Sequence, residues 1–364
     1  MTSKIVVFGA TGYTGRLVVS SLLGRGERPV LAGRSEDSLK SLANPHGLQY
    51  LRADVSDPAT VRALVQPGDV LVSTVGPFNR HGYAAAAAAA DAGAHYLDST
   101  GEVDFVHRVQ QEFSARAEGS GATMVPAFGY DYVPGTLAGA LAAQAAGSPG
   151  GNLRIGYFAL GSLRQGISGG TLATLADAFG RRISVYRAGS LHSRLLGSTT
   201  YAFRVRNHTR RALLAMGTEV LFLPETYPGL SAVEVYNGWF PRFSHAAGAV
   251  SWAAAGLSRL PGGRNAMAKA VSLVAAPGSG PNEQVRSRSG SYAVANLSDR
   301  HGYTVVEVHV QGPNVYTLTG ELLAEAAVAL RRGDAVSAGV QGPVGAFGLD
   351  GLTALCARAG LRVV

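Results

Sequence analysis

Three glycines, Gly9, Gly12 and Gly15, recur every third residue in KIVVFGATGYTG (4–15), directly after a short apolar run. The run Ile5 to Phe8 reads as a buried strand. Glycine at 9 permits a tight turn, glycine at 12 lets a pyrophosphate approach the main chain, and glycine at 15 lets the next helix pack closely on the strand. The first amides of that helix then face an anion, with the helix dipole in the favourable sense. Gly9, Thr11, Gly12, Tyr13, Thr14 and Gly15 are therefore a candidate nucleotide cradle. Arg34 ends the second strand (RPVLAGR, 28–34), and no acid precedes it there; the next is Glu36. An acid near this tip would bind the ribose 2′-hydroxyl of NAD, whereas an arginine pairs with the 2′-phosphate of NADP. Arg34, with the Ser35 hydroxyl beside it, points to NADP(H), because a guanidinium takes a phosphate through two parallel hydrogen bonds.

The elements that must hold these residues alternate. Candidate strands at 4–8, 28–32, 48–53, 69–75, 95–99 and 123–128 are separated by helical stretches including 15–23, 57–65, 83–92 and 103–118. Six strands with crossover helices predict a doubly wound parallel sheet, an α/β Rossmann domain over 1–150. The segment GSPGGN (147–152) reads as a hinge. Beyond it, apolar alternation at 153–160, 199–205, 232–236, 291–297 and 303–310 predicts a mixed or antiparallel sheet. Helical candidates lie at 171–179, 246–257, 266–274, 318–331 and 348–358. The second domain, 151–315, is thus expected to be an α+β substrate or dimerisation domain.

Ligands of an open parallel sheet lie beyond the carboxyl ends of its strands. Those tips carry Asp54 after the third strand, Val75, Gly76, Pro77 and Phe78 after the fourth, Gly101 and Glu102 after the fifth, and Tyr130, Asp131 and Tyr132 after the sixth. Asp54 could accept from an adenine amino group or serve a helix turn. Pro77 would rigidify the turn that passes a nicotinamide, and Phe78 would wall its ring. Glu102 could line the cofactor site or open the helix near 103, where a carboxylate suits the dipole. Tyr130, Asp131 and Tyr132 are the candidates for proton transfer to a reduced substrate. The Tyr-x-x-x-Lys pair, the GxSxG elbow, the HExxH helix and the Walker lysine do not occur.

Composition narrows the partners. The 364 residues carry a formal charge of +8, nearly all of it from arginine. The arginines are spread along the chain apart from pairs such as Arg181-Arg182 and Arg210-Arg211, which argues against nucleic acid. A basic surface suits NADP phosphates, coenzyme A or an acidic carrier protein. One cysteine, Cys356, excludes an internal disulfide and fits a reducing cytoplasm. No signal peptide of the usual form is expected ahead of a strand that begins at Lys4. No apolar run reaches membrane-spanning length, and 246–276 reads as core, dimer contact or membrane-surface helix.

Several motifs together resemble the saccharopine dehydrogenase-like NADP-binding proteins: GATGYTG, AGR, VGPFNRHG, HYLDSTGE and FGYDYVPG. Gly169-Gly170-Thr171 resembles that family's glycine–threonine turn, which makes Gly170 and Thr171 substrate-side candidates. Gly280-Pro281 with Arg286, GPNVYTLTGELLAEAAVA (312–329) and QGPVGAFG (341–348) extend the likeness through the second half. The nearest branch is the actinobacterial trans-acting enoyl reductases, which reduce carrier-bound polyketide or lipid chains. The resemblance implies NADPH, an α+β second domain and C-terminal helices, 316–364, that return to the first domain. Where relatives commonly carry Gly-Phe-Asp-Ser-Ile-Pro, this chain carries Gly129-Tyr130-Asp131-Tyr132-Val133-Pro134, and the cleft chemistry changes there.

The expected function is accordingly an NADPH-dependent reductase in the cytoplasm. It would act on an activated C=C bond of a hydrophobic substrate held on an acyl carrier protein, without a metal, with a homodimer as the candidate assembly. The alternative is imine reduction of saccharopine type, which calls for clustered arginines, with Arg154, Arg164 and Arg204 as candidates. A further alternative is a non-catalytic NADP-binding or lipid-associated protein.

Overall fold

The computed structural model describes residues 3–147, 151–161, 181–239 and 280–364. They fall into two units: Met1–Leu137 with Tyr316–Leu361, and Ala138–Val315 with Arg362–Val364. The division therefore comes inside a helix, ahead of the glycine-rich 147–152 segment where the sequence suggested a hinge. The expected helices at 171–179, 246–257 and 266–274 lie outside the described residues, as do Gly170, Thr171 and Arg164.

The first unit opens with alternating elements: β1 (Ile5–Phe8), α1 (Tyr13–Gly24), β2 (Val30–Gly33), α2 (Glu36–Ala43), β3 (Tyr50–Arg52), α3 (Pro58–Arg62) and β4 (Val70–Ser73). It continues through α4 (Phe78–His81), α5 (Tyr83–Ala92), β5 (His95–Asp98), α6 (Val103–Ser120), β6 (Thr123–Val125) and α7 (Val133–Ala146), which crosses the boundary. Parallel pairing gives the order β3-β2-β1-β4-β5-β6, with one more short strand beyond β6. β1, β2 and β4 are buried along their whole length, as strands covered by helices on both faces must be. The alanine run of α5 folds as a helix with five of its alanines buried. Small side chains allow it to lie close to its neighbours, and alanine has the highest helix propensity.

The second unit holds β7 (Gly151–Leu160), β8 (Arg182–Arg187), β9 (Ser190–Leu195), β10 (Thr200–Val205), β11 (His208–Ala215), α8 (Glu219–Thr226) and β12 (Leu230–Asn237). α9 (Glu283–Ser287), β13 (Gly290–Ser298) and β14 (Thr304–Pro313) complete its main body. The sheet runs β10-β11-β12-β7-β13-β14 and is antiparallel except for β12 against β7, with β8 and β9 attached beside β12. Phe158, Phe203, Tyr236, Tyr292 and Val294 anchor the core on one face. The periodicity reading missed β8, β9 and β11, whose polar, arginine-rich residues weaken the apolar alternation.

The chain then returns to the first unit through α10 (Val315–Arg332), β15 (Gly339–Val340), which pairs parallel with β6, and α11 (Pro343–Arg358), broken at Gly348 (φ 67°). Only the last strand, β16 (Arg362–Val363), goes back to the second sheet, against β14. α10 lies against α1 closely enough that a Cβ on Gly320 would stand 3.0 Å from the Leu17 Cβ. Glu325 fastens the contact: it accepts from Arg25 Nε at 2.7 Å and from Arg358 Nε at 2.7 Å, while Glu321 takes Arg25 Nη2 at 2.6 Å. Removing the central carboxylate leaves Arg25 with Glu321 alone and takes from Arg358 its ion-pair partner. Glu325→Ala is expected to destabilise this unit by about 1–3 kcal/mol, read as a lower urea midpoint.

Candidate functional site

The glycine turn is built by close approach. A Cβ on Gly15 would stand 2.2 Å from the Gly9 carbonyl oxygen and 2.9 Å from the Ala10 Cα, so residue 15 has no room for a side chain. Gly9 itself adopts φ +88°, a conformation glycine takes without penalty. Its amide donates to Ala32 O at 2.9 Å, and Gly12 N donates back to Gly9 O at 2.9 Å. The Thr74 hydroxyl bonds Phe8 O and Gly9 O at 3.2 and 3.1 Å. Thr74 thus locks the turn from the tip of β4, a role the sequence reading missed. Val75 lies against the same turn, with its Cγ2 3.0 Å from where a Gly9 Cβ would be.

Gly12 is exposed at the N-cap of α1, and no side chain caps that helix. The helix end is therefore open to an anion, as a pyrophosphate cradle requires. Thr11 turns its carbonyl to Arg16 Nε (3.1 Å) and Thr14 is half-buried. The Tyr13 ring meets Tyr316 edge-to-face at 5.3 Å, so it helps dock α10.

Arg34 is exposed at the tip of β2. Arg52, at the end of β3, is its neighbour by register, since Gly33 pairs with Arg52. Asp54 lies near both guanidiniums, and its carboxyl is held below the usual range chiefly by the Ser56 amide and hydroxyl, at 2.9 and 2.8 Å. Two cations beside an open helix N-terminus fit a nucleotide carrying a further phosphate. Arg52 was not singled out from sequence; its position at the third strand tip beside Arg34 was the available signal. The Ser35 oxygen caps α2 by accepting from Ser38 N at 3.4 Å and pairs with the Ser38 hydroxyl.

The fourth and fifth strand tips are tied together by Glu102. Its carboxylate accepts from Phe78 N at 2.7 Å and Asn79 N at 3.0 Å, holding the Gly76-Pro77-Phe78 turn and the start of α4. Gly76 and Pro77 are exposed, whereas the Phe78 ring is 6% exposed and packs on Phe105 at 5.6 Å. Phe78 therefore packs into the core, with its ring edge 3.5 Å from where a Gly76 Cβ would stand. Glu102 stands at the N-cap of α6, yet its side chain serves the other helix.

Asp98, which the sequence reading passed over, organises the fifth and sixth tips. Its Oδ1 accepts from Thr100 N at 2.9 Å and from Ala127 N at 2.8 Å, fixing Ala127 in the left-handed region (φ 59°). Burial pushes the Asp98 carboxyl up to about 6, against those two amides, which favour its charge. Ser73 Oγ, Tyr96 OH and Asp98 Oδ2 are near enough to couple electrostatically, but none of the three meets hydrogen-bond geometry. The Thr319 hydroxyl on α10 accepts from Tyr130 N at 3.1 Å, and the Thr319 methyl stands 3.0 Å from where a Gly129 Cβ would be.

Of the three proton-transfer candidates, two are otherwise engaged. Tyr130 is 2% exposed, and the Tyr132 phenol donates to Gly101 O at 2.8 Å. The Tyr130 ring is thus packed into the core, and the Tyr132 hydroxyl holds the Gly101 carbonyl. Asp131 differs. Solvent reaches it, its Oδ2 lies 3.7 Å from where a Gly101 Cβ would be, and surrounding protein pushes its carboxyl up to about 6. Water contact opposes part of that burial effect, and the group keeps proton exchange with solvent.

In the second unit, Arg154 lies 3.7 Å from Glu234, Arg187 lies 3.5 Å from the same carboxylate, and the Tyr236 hydroxyl donates to it at 2.9 Å. Arg154, Arg187 and Glu234 border an open groove of about 550 Å³. Arg204 is not among them; it is exposed on the opposite face of β10 from Tyr201, which sits under Arg154. Among the described residues no cluster of His, Cys, Asp or Glu could hold a metal, and no helix is long and apolar enough to cross a membrane.

The raised Asp98 carboxyl has a consequence for stability. A folded-state value near 6 against an ordinary 3.8 means the folded chain binds this proton more readily. The associated stability is full below pH 4 and declines as pH rises to 6, by on the order of 2–3 kcal/mol. Asp98→Asn keeps an oxygen for Thr100 N and Ala127 N and removes that titration. The variant should lose this part of the pH slope in denaturant midpoints measured from pH 4 to 7.

Residues 5–125 match the model of the saccharopine dehydrogenase NADP binding domain. A trans-acting enoyl reductase of Mycobacterium tuberculosis is 34% identical over 183 residues, 48% of this chain and 44% of that protein. A probable mitochondrial saccharopine dehydrogenase-like oxidoreductase of Arabidopsis thaliana is 36% identical over 149 residues, 36% of this chain and 33% of that protein. The matched stretches thus span less than half of these curated relatives. The fold as a whole matches saccharopine dehydrogenase (L-Glu forming) of Saccharomyces cerevisiae over 100% of both chains, with a TM-score of 0.63 and 10% identity. The glycine turn, the open helix end and the paired arginines agree with the NADP binding domain match over residues 5–125.

Proposed function

We propose that this protein is an NADP(H)-dependent oxidoreductase that reduces an activated C=C bond of a hydrophobic acyl substrate carried on an acyl carrier protein. The observation that carries the cofactor half is the pair Arg34 and Arg52 at adjacent strand tips beside the Gly9–Gly15 turn. Bound NADPH supplies two electrons as a hydride. The chain's own part is to cradle the pyrophosphate at α1, to pair the 2′-phosphate with Arg34 and Arg52, and to hold the nicotinamide-side turn through Glu102. Asp131 is the group that holds a proton at the strand tips, and its carboxyl gives that proton to the reduced substrate and recovers it from water. The substrate half is supported by the likeness to a protein named trans-acting enoyl reductase. A second reading, reduction of an imine, is supported by the Arg154–Glu234–Arg187 cluster, which suits a charged amino-acid-like substrate.

Titration with NADPH and NADH tests the cofactor assignment. Arg34→Ala and Arg52→Ala should each weaken NADPH by about tenfold or more, as loss of a charge-assisted phosphate contact implies, and leave NADH nearly unchanged. Equal losses for both nucleotides would remove the 2′-phosphate assignment. NADPH oxidation with enoyl thioesters against cyclic imines ranks the two substrate readings. Asp131→Asn should lower turnover by about a hundredfold or more with NADPH affinity retained. Because the proton donor must be protonated, wild-type turnover should fall as pH rises through the Asp131 titration, which water contact sets between the ordinary carboxylate value and about 6. A variant with a normal rate and an unchanged pH profile would clear Asp131 of this role.

A further inference from the structure

The spread of arginines along the sequence conceals their segregation between the two units. The first unit has fourteen Lys and Arg against seventeen Asp and Glu, and the second has eighteen against seven. The whole positive excess therefore belongs to the second unit. Within it, residues 181–211 contain eight arginines, two histidines and no acid. They form the β8–β9 and β10–β11 hairpins, and β10 is a terminal strand of its sheet.

The β10–β11 hairpin shows how that charge is presented. Phe203 and Val205 turn into the core, so Ala202 and Arg204 turn outward. Register places Ala202 opposite Arg211 and Arg204 opposite Thr209, which puts Arg204 and Arg211 on one exposed face. Arg206, at the turn, donates to Gln311 Oε1 at 2.9 Å, and on β8 Arg182 donates to the Ser193 hydroxyl at 2.7 Å and carbonyl at 3.0 Å. Neutral acceptors hold these guanidiniums in place without cancelling their charge.

The residues between the arginines decide what such a face can meet. Its outward neighbours are small or polar: Ala202 and Thr209 on the strands and Asn207 at the turn. No large apolar side chain of β10 or β11 is exposed, so the hairpin has nothing to insert into a bilayer. Phe203 is buried and Tyr201 lies half-buried beneath Arg154, which leaves no outward aromatic on which bases could stack. A broad positive face without apolar or stacking groups is complementary to an acidic protein surface.

We propose that the arginine face of the β10–β11 hairpin is the docking surface for an acidic protein, the carrier that presents the acyl chain. The proposal deepens the carrier-borne reading above and names the surface that reading requires. The test uses the full chain, wild type and Arg204→Glu/Arg206→Glu, with a crotonyl-loaded acyl carrier protein as probe. Calorimetry at low and raised salt gives binding. NADPH oxidation with the same acyl group on the carrier and on free pantetheine gives turnover. Charge reversal should weaken carrier binding by about tenfold or more and abolish most of its salt dependence, with free-pantetheine kinetics unchanged. Arg204→Gln, which keeps a polar side chain, should give an intermediate loss and guards against misfolding of the double variant. Carrier binding that is absent, or unmoved by charge reversal, overturns the proposal. So does reversal that removes binding only to tRNA or to phosphatidylglycerol vesicles. Failure of every thioester to turn over would defeat the proposed reaction, while the binding arm would still decide the docking surface.

Discussion

The first unit depends on a contact that leaves no space for a side chain. α1 begins so close to the end of β1 that the Gly9 carbonyl occupies the place of a residue 15 Cβ. That approach sets the direction of α1, and with it the direction in which the helix N-terminus faces. It also sets where α10 can lie, since Gly320 packs on Leu17 and Glu325 reaches Arg25 at the far end of the same helix. One absent methyl thus connects the phosphate cradle to the packing of the returning C-terminal helices.

Around that cradle, the polar groups that look most reactive are used to hold backbone. Thr74 fixes the glycine turn, Glu102 fixes the turn after β4, and Asp98 joins the exits of β5 and β6. Tyr132 closes the series through Gly101. Each replaces water at amides or carbonyls that strand ends leave unpaired, and a buried unpaired group would cost more than any of these bonds contributes. Among the candidates after β6, Asp131 is open to solvent and has its proton affinity raised. The proposed chemistry rests on that carboxyl because its neighbours are already committed.

Charge divides the molecule differently from chemistry. The unit that carries the nucleotide-binding domain is slightly acidic overall and relies on a few local cations, Arg34 and Arg52, where a phosphate is expected. The second unit is strongly basic, with arginines on strands whose inward residues build its core. A guanidinium reaches outward on a long stem while Phe203 or Val205 fills the interior, so alternation alone separates surface charge from core.

The glycine spacing, the parallel strand–helix alternation and Arg34 were legible in the sequence because each is a local rule: a turn, a period, a strand tip. β8, β9 and β11 were not legible, since arginines and serines dilute the apolar signal that marks a strand. Nor could the sequence separate Tyr130, Asp131 and Tyr132, three adjacent polar residues with similar prospects. Only tertiary structure buried one ring, tied the second hydroxyl to Gly101 and left the third side chain in water. The same holds for Asp98, Thr74, Arg52 and Thr319, whose partners lie up to 189 residues away. Local conformation is encoded over a few residues, and the sequence determined it; which polar group meets which is settled by packing between distant segments, and only the fold decided that.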